Sequence, residues 1–317
     1  MNGSADDRGG RVVTGWPVLD ALERVRAMLF APLGPQARLW LMLAPALLVV
    51  AALVWGLAVM ADSSLRVLDR STFRQADSWS LGNYLTALGQ AAFRRIGWRT
   101  LWGSAATTLA TLALAFPYAW VLVRTDRAWL RKALLVGLFL PFFIGQVVRA
   151  YGWLIVLGNQ GLLNAVLQAL GLEPVRVIFT MTGVLIGMVQ YMLPFAVLLI
   201  APAITAIPRD VELASASLGA RPWRTLWHVV LPMARPGLIA AAVVVLSLSL
   251  TEYAIPEIMG GGQLDFLASA VYDGFFAISD SGLGSAQGII LTVAATLLIA
   301  LLAGLAGRHH GRAEIGP

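Results

Sequence analysis

The chain has 317 residues, of which 58% are hydrophobic and only 13% charged, with a net charge of +6 and no cysteine. Soluble domains carry about 25% charged residues, so this composition, with a mean hydropathy of +0.76, places the chain in a membrane and gives its basic residues to loops rather than to nucleic acid. The lack of cysteine excludes a disulfide framework, a thiolate nucleophile and a Cys-ligated metal, and the single lysine, Lys132, stands outside any Gly-Lys-Ser/Thr triplet, which excludes a P-loop.

In residues 1–38, Trp16, Leu19, Leu22, Val25 and Leu29 share one face and Asp20, Glu23, Arg24 and Arg26 oppose it. That spacing predicts an amphipathic helix lying on the inner membrane surface, or packed on a partner. A membrane-crossing helix needs about 20 mostly apolar residues. Six segments qualify: 39–61, 101–123, 133–158 (interrupted by Arg149), 178–204, 237–255 and 286–306. The first is expected to be an uncleaved anchor, because 38 residues precede it and its apolar run exceeds the roughly 7–15 residues of a signal core.

The loop 62–98 mixes polar and aromatic residues and is expected to be helical from Leu81. Over 160–175, Leu162, Leu163, Val166, Leu167 and Leu170 line one face, predicting a short surface helix that stops near Gly171 and Pro174. Interfacial anchoring accounts for most of Trp40, Trp79, Trp98, Trp102, Trp120, Trp129 and Trp153. With the N-terminus placed inside, the inner segments hold fifteen Lys and Arg residues and the outer ones seven. The positive-inside rule therefore puts both termini in the cytoplasm. Arg94, Arg95 and Arg99 are the exception, crowding the outer end of the second span. The last outer loop has only acids, Glu257, Asp265, Asp273 and Asp280.

The segment Val211–Pro232, VELASASLGARPWRTLWHVVLP, separates the fourth and fifth spans. Asp210 is the expected N-cap of a first short helix. Ala214, Ser215, Ala216 and Ser217 give that helix a narrow surface, Gly219 ends it through a positive φ, and Pro222 opens a second helix running to Leu231. Such a helix–break–helix, fixed to two spans, suits docking by another protein; the alternative is an ordinary amphipathic linker.

This segment resembles the EAA loop of binding-protein-dependent ABC importer permeases. Leu218, Gly219 and Ala220, then Val229, Leu231 and Pro232, stand in that family's register. The front differs: Leu213 occupies the place of the family's Glu, Glu212 lies one residue earlier, and Ser215 replaces the second Ala. Residues 116–125 (FPYAWVLVRT) are similar to that family's Tyr-Pro-x-Ala-Tyr-x-Leu-Ala-Arg at the end of the second span, and 140–172, 191–200 (YMLPFAVLLI) and 251–261 (TEYAIPEIMGG) resemble its spermidine/putrescine branch, so that the likeness covers about residues 80 to 306.

The resemblance implies an all-α integral membrane protein of the type I importer fold, with six transmembrane helices. Its parts are a cytoplasmic segment 1–38, a first span 39–61, an outer loop 62–98, a five-helix core 99–306 with the coupling loop 208–235, and a tail 307–317. It implies a bacterial inner-membrane permease for putrescine, spermidine, another small amine or an opine-like solute. A separate cytoplasmic ATPase dimer binds ATP and Mg, an extracytoplasmic binding protein delivers the solute, and a second, different permease completes the path. Glu212, Ala214, Ser215, Leu218, Gly219, Ala220, Leu231 and Pro232 would then couple to the ATPase, and the chain itself needs no cofactor and no metal.

Ionisable and polar residues within spans are functional candidates by default. Arg149, with Gln146 and Tyr151, is placed on the pathway or at the contact with the other permease, or in a structural pair. Glu252 beside Tyr253 is a candidate cation site, or a cap or interhelical bond at the membrane edge. Gln190, Tyr191 and Asn159 are lesser candidates, since polar groups between helices are commonly packing contacts. No catalytic set emerges, and His309–His310 reads as a basic tail. Two other classes were open to the composition. An ion-coupled secondary transporter should show inverted repeats or matched helix breaks, and none is seen. A membrane enzyme would need clustered Asp, Glu or His in the spans, and none occurs.

Overall fold

The computed structural model describes residues 35–307 except Arg70 and Phe73. The helix expected within 1–38 and the tail with His309–His310 therefore lie mainly or wholly outside the described residues. The chain divides into two units, Met1–Val59 and Met60–Pro317. The first unit carries most of α1 (Pro35–Ser64), which is apolar around its whole circumference, as a helix surrounded by lipid is.

The second unit begins with a feature that helical periodicity does not show, a hairpin of β1 (Arg66–Asp69) and β2 (Arg74–Trp79). Its strands pair Asp69 with Arg74 and Leu68 with Gln75, with a bulge between Arg66 and Leu68. The strands are short and mix polar and apolar residues on both faces, so they lack the alternating apolar pattern that marks a half-buried strand. The buried amide of Asn83 donates to the carbonyls of Ser64 and Arg66, tying the hairpin to α2 (Gly82–Gly89).

Helix α3 (Ala91–Arg124) begins ten residues before the expected span. It is followed by α4 (Ala128–Phe139), α5 (Gln146–Leu157), α6 (Leu162–Ala169) and α7 (Met181–Thr205). Then come α8 (Arg209–Ser217) and α9 (Pro222–Met233), the latter π-wound over Leu226–Val230. The chain ends in α10 (Arg235–Leu250), α11 (Ala254–Gly260), α12 (Leu267–Phe276) and α13 (Ser281–Gly307).

The core lies where α3, α7 and α10 pack together. Thr100, Ser104, Thr107, Thr111, Ala115 and Ala119 make a buried stripe of small residues along α3, which lets helices approach closely in a membrane. Phe116, Met192, Ile200, Ile204 and Val245 fill the space between. A Cβ on Gly237 would lie 2.5 Å from the Cβ of Ala203 and 3.0 Å from the Leu199 carbonyl oxygen. Glycine there is what allows α10 to cross α7.

Two expected spans are interrupted. The segment 133–158 is not one helix: α4 ends at Phe139, a 3-10 turn covers Leu140–Phe143, and α5 starts at Gln146. Pro141 supplies no N–H to continue the helix, and Ile144 is extended at φ −95 and ψ 123. The segment 237–255 likewise stops at Leu250, and α11 resumes after Thr251–Tyr253. Among the described residues, five helical segments are long and apolar enough to cross a membrane: Leu39–Ser64, Ala91–Arg124, Gln146–Ala169, Met181–Thr205 and Ser281–Gly304. A sixth is added if α9 and α10, bent by 76°, count as one span.

Candidate functional site

The segment joining α7 to α10 folds as a shelf. Helix α8 starts two residues earlier than expected: Pro208 stands at the N-cap without a side-chain cap bond, and Asp210 is already helical. Asp210 therefore is not the cap. It sits with Glu212 in the first turn, where carboxylates complement the helix dipole. At the other end Gly219 has φ +82. The Gly219 N–H donates to the Ala216 carbonyl at 2.9 Å and the Ala220 N–H to the Ser215 carbonyl at 3.1 Å, the paired bonds of a Schellman ending.

Pro222 opens α9. The hydroxyls of Ser215 and buried Thr225 are 3.0 Å apart, joining the two short helices. Trp227 packs against Trp223 and against Phe116 of α3, while Leu226 and Val230 enter the core. Leu231 and Pro232 are half-buried at the end of α9, just before the bend into α10. The outward face carries Leu213 at 63% exposure and Leu218 at 90%, with Ala214, Ala216, Ser217 and Gly219 exposed around them. Ser215 and Ala220, placed in the docking set by sequence, are only partly exposed.

Glu212, also placed in that set, turns the other way. One oxygen accepts from Arg124 Nε at 2.7 Å and the other from Trp120 Nε1 at 3.2 Å. The side chains of Arg124 and Glu212 are only 13% and 16% exposed. Arg124 and Trp120 are functional candidates that the sequence reading passed over. Their signal was present in the FPYAWVLVRT run, where Arg124 is the last residue of α3.

The polar residues within the spans gather where the interrupted helices meet. The Gln146 side-chain amide donates to Oε1 of Glu252. The same oxygen accepts the Ile255 N–H at 3.3 Å, so Glu252, only 8% exposed, caps the start of α11. Arg149 donates to the Pro141 carbonyl at 2.8 Å, which also accepts the Ile144 N–H at 3.3 Å at the break in the helix. Its guanidinium carbon rests 5.1 Å from the centre of the Tyr191 ring. Trp153 Nε1 donates to Gln190 at 3.4 Å. Glu252, Gln146, Arg149, Tyr191 and Gln190 thus lie on or beside the two breaks.

Other candidates lie apart from this network. Tyr151 is exposed, and Asn159 contributes its backbone carbonyl to Asn164. The Glu252–Tyr253 cation site is not formed as a pair. Tyr253 instead stacks on Tyr272 at 4.9 Å, and Tyr272 packs at a tilt against Phe276 at 4.7 Å. Beside these rings, burial raises the Glu257 carboxyl above its ordinary range, and the charges of Asp265 and Asp273 add to the shift. Burial and Asp273 raise Asp265, partly offset by Arg99. No salt bridge neutralises Glu257, Asp265 or Asp273 among the described residues. This edge combines negative charge with aromatic faces, both of which attract organic cations.

Residues 102–313 match the family described as binding-protein-dependent transport system inner membrane component. The chain is 30% identical over 254 residues to the spermidine/putrescine transport system permease protein PotB of Haemophilus influenzae, covering 80% of this chain and 87% of that one. It is 31% identical over 275 residues to the inner membrane ABC transporter permease protein YdcU of Escherichia coli, covering 80% and 86%. In fold it resembles a chain of a bacterial ABC transporter involved in import of the acidic polysaccharide alginate. That match has a TM-score of 0.65 at 18% identity, over 86% of this chain and 99% of the other.

Proposed function

Because the chain belongs to the family of binding-protein-dependent transport system inner membrane components, as a multi-pass ABC importer permease subunit and not an enzyme, we propose that its cargo is a polyamine of the putrescine or spermidine type. The observation that carries this reading is the 30% identity to a spermidine/putrescine permease over 80% of the chain. The acidic, aromatic edge of Tyr253, Glu257, Tyr272 and Asp273 supports a cationic cargo.

The shelf of α8 and α9 is the seat of a separate cytoplasmic ATPase, which binds ATP and Mg. Leu213 and Leu218 give it two exposed apolar contacts in a setting of small residues. The shelf end is cytoplasmic, as are both termini, in keeping with the distribution of Lys and Arg. A substrate-binding protein delivers cargo at the opposite end, beside the acidic edge. A second, different permease completes the path, and the polar network around Gln146, Arg149, Tyr191 and Glu252 faces that path or that partner.

Reconstitution tests this assignment. Proteoliposomes holding this chain, its partner permease and the ATPase should take up labelled putrescine or spermidine only with ATP inside and the binding protein outside. Uptake without the ATPase would replace the reading with an ion-coupled transporter. An active ATPase stimulated by other amines or opines, but not by polyamines, would replace the cargo alone.

A further inference from the structure

We infer that Arg124 is the positioning residue of the docking shelf, and that Glu212 serves this chain's own mechanics rather than a contact with the ATPase. One guanidinium clasps three elements. Arg124 ends α3, its Nε holds Glu212 of α8, and its Nη2 donates to the carbonyls of Ile204 at 3.1 Å and Ile207 at 2.7 Å. The Ile204 carbonyl lies in the last turn of α7, where it also accepts the Ile207 N–H at 3.1 Å, and the Ile207 carbonyl lies just beyond the helix end. The cation also sits at the C-terminus of α3, where the helix dipole favours it. Trp120 holds the second Glu212 oxygen, so both carboxylate oxygens have a donor within the chain.

The one-residue departure from the family register now has a physical meaning. At 3.6 residues per turn, one step along a helix rotates a side chain by about 100°. Position 213 points outward and bears an exposed leucine. Position 212 points inward at Arg124. Moving the acid by one residue converts an outward carboxylate into an internal latch. A push on α8 then cannot slide that helix over the bundle without carrying the ends of α3 and α7. Arginine is required because its fork meets a carboxylate and carbonyls together, whereas a lysine ammonium is a single point donor. Arg209 adds an exposed brace to Asp126 at 3.2 Å, of the kind that contributes little by itself.

The inference rests on the permease reading and is tested in the complete reconstituted importer, measuring uptake, ATP hydrolysis and ATPase retained on the permease. Arg124→Ala and Glu212→Ala are each expected to lower uptake per ATP hydrolysed by about tenfold, an ordinary size for coupling between sites, with the ATPase still bound. The double variant should be no worse than the poorer single, because residues acting as one unit are not additive. Arg124→Lys should not restore transport. If Arg124→Ala fails to assemble, Arg124→Met with Glu212→Gln leaves no unpaired charge and should assemble, hydrolyse ATP and show the same loss. Loss of ATPase binding in Glu212→Ala, multiplied defects in the double variant, or normal uptake in the Met/Gln variant would overturn the latch. Gly219→Asp separates the two levels. If it transports normally, the docking reading fails; if it is uncoupled while the latch variants transport normally, only the latch fails.

Discussion

The side-chain amide of Gln146 donates to the carboxylate of Glu252 across 106 residues of sequence, joining the two places where membrane helices are interrupted. The bond spans from the start of α5 to the cap of α11. A buried carboxylate needs such donors, because removing one partner leaves the acceptor with its full desolvation penalty.

Replacing Gln146 with Leu should therefore destabilise the bundle by about 1–3 kcal/mol, the usual cost of an unsatisfied buried polar group. Gln146→Glu, which adds a second carboxylate, should be worse at neutral pH. Thermal unfolding in detergent reads both. An unchanged melting temperature in Gln146→Leu would mean that the bond carries no weight.

The ending of α8 gives a conformational test. No atom lies within 4 Å of a Cβ at Gly219, yet its φ is +82. Asn tolerates the left-handed region and Val does not. Gly219→Asn should keep most transport, whereas Gly219→Val should lose it while still inserting in the membrane. Equal behaviour of the two variants would show that backbone conformation is not what matters there.

Gly237 gives the steric counterpart. With Ala203 and the Leu199 carbonyl so close, Gly237→Val should cost about 1–3 kcal/mol by overpacking. The loss would appear as a lower melting temperature and reduced assembly with the partner permease. Full stability would show that α10 can move off α7 freely.

The acidic edge has a pH signature. Glu257 is raised from its ordinary value of 4.5, first by burial and then by Asp265 and Asp273. The folded chain therefore keeps a proton that the unfolded chain has already lost. Stability falls as pH rises from the ordinary value through the raised one, and the loss is complete above it. Gln cannot ionise, so Glu257→Gln should melt above the wild type at about pH 7, with the gap closing towards about pH 4. A gap that widens in acid would reverse the assignment.

Much of the architecture was legible in the sequence, because the signals there are local. Long apolar runs can cross a membrane only as helices or closed barrels, so the spans could be counted from composition and length. Gly219 and Pro222 marked the break and restart of the shelf, since each acts through its own backbone. The exposed Leu218 could also be placed, because small residues and a turn surround it in sequence.

Tertiary structure decided the rest, where the outcome depends on residues far apart. In sequence the third span reads as one segment interrupted only by Arg149, because hydropathy does not mark where a helix stops. Pro141 stands at its break, and the Pro141 carbonyl there accepts both the Ile144 N–H and the Arg149 guanidinium. Glu252 and Tyr253 are neighbours in sequence, but one bonds Gln146 while the other stacks on Tyr272. Glu212 lies on the segment that sequence marked for docking, yet its direction is set by Arg124, 88 residues away. A sequence gives the spacing of side chains along a helix, but only packing determines which face is turned inward, because that depends on what the rest of the chain brings to meet it.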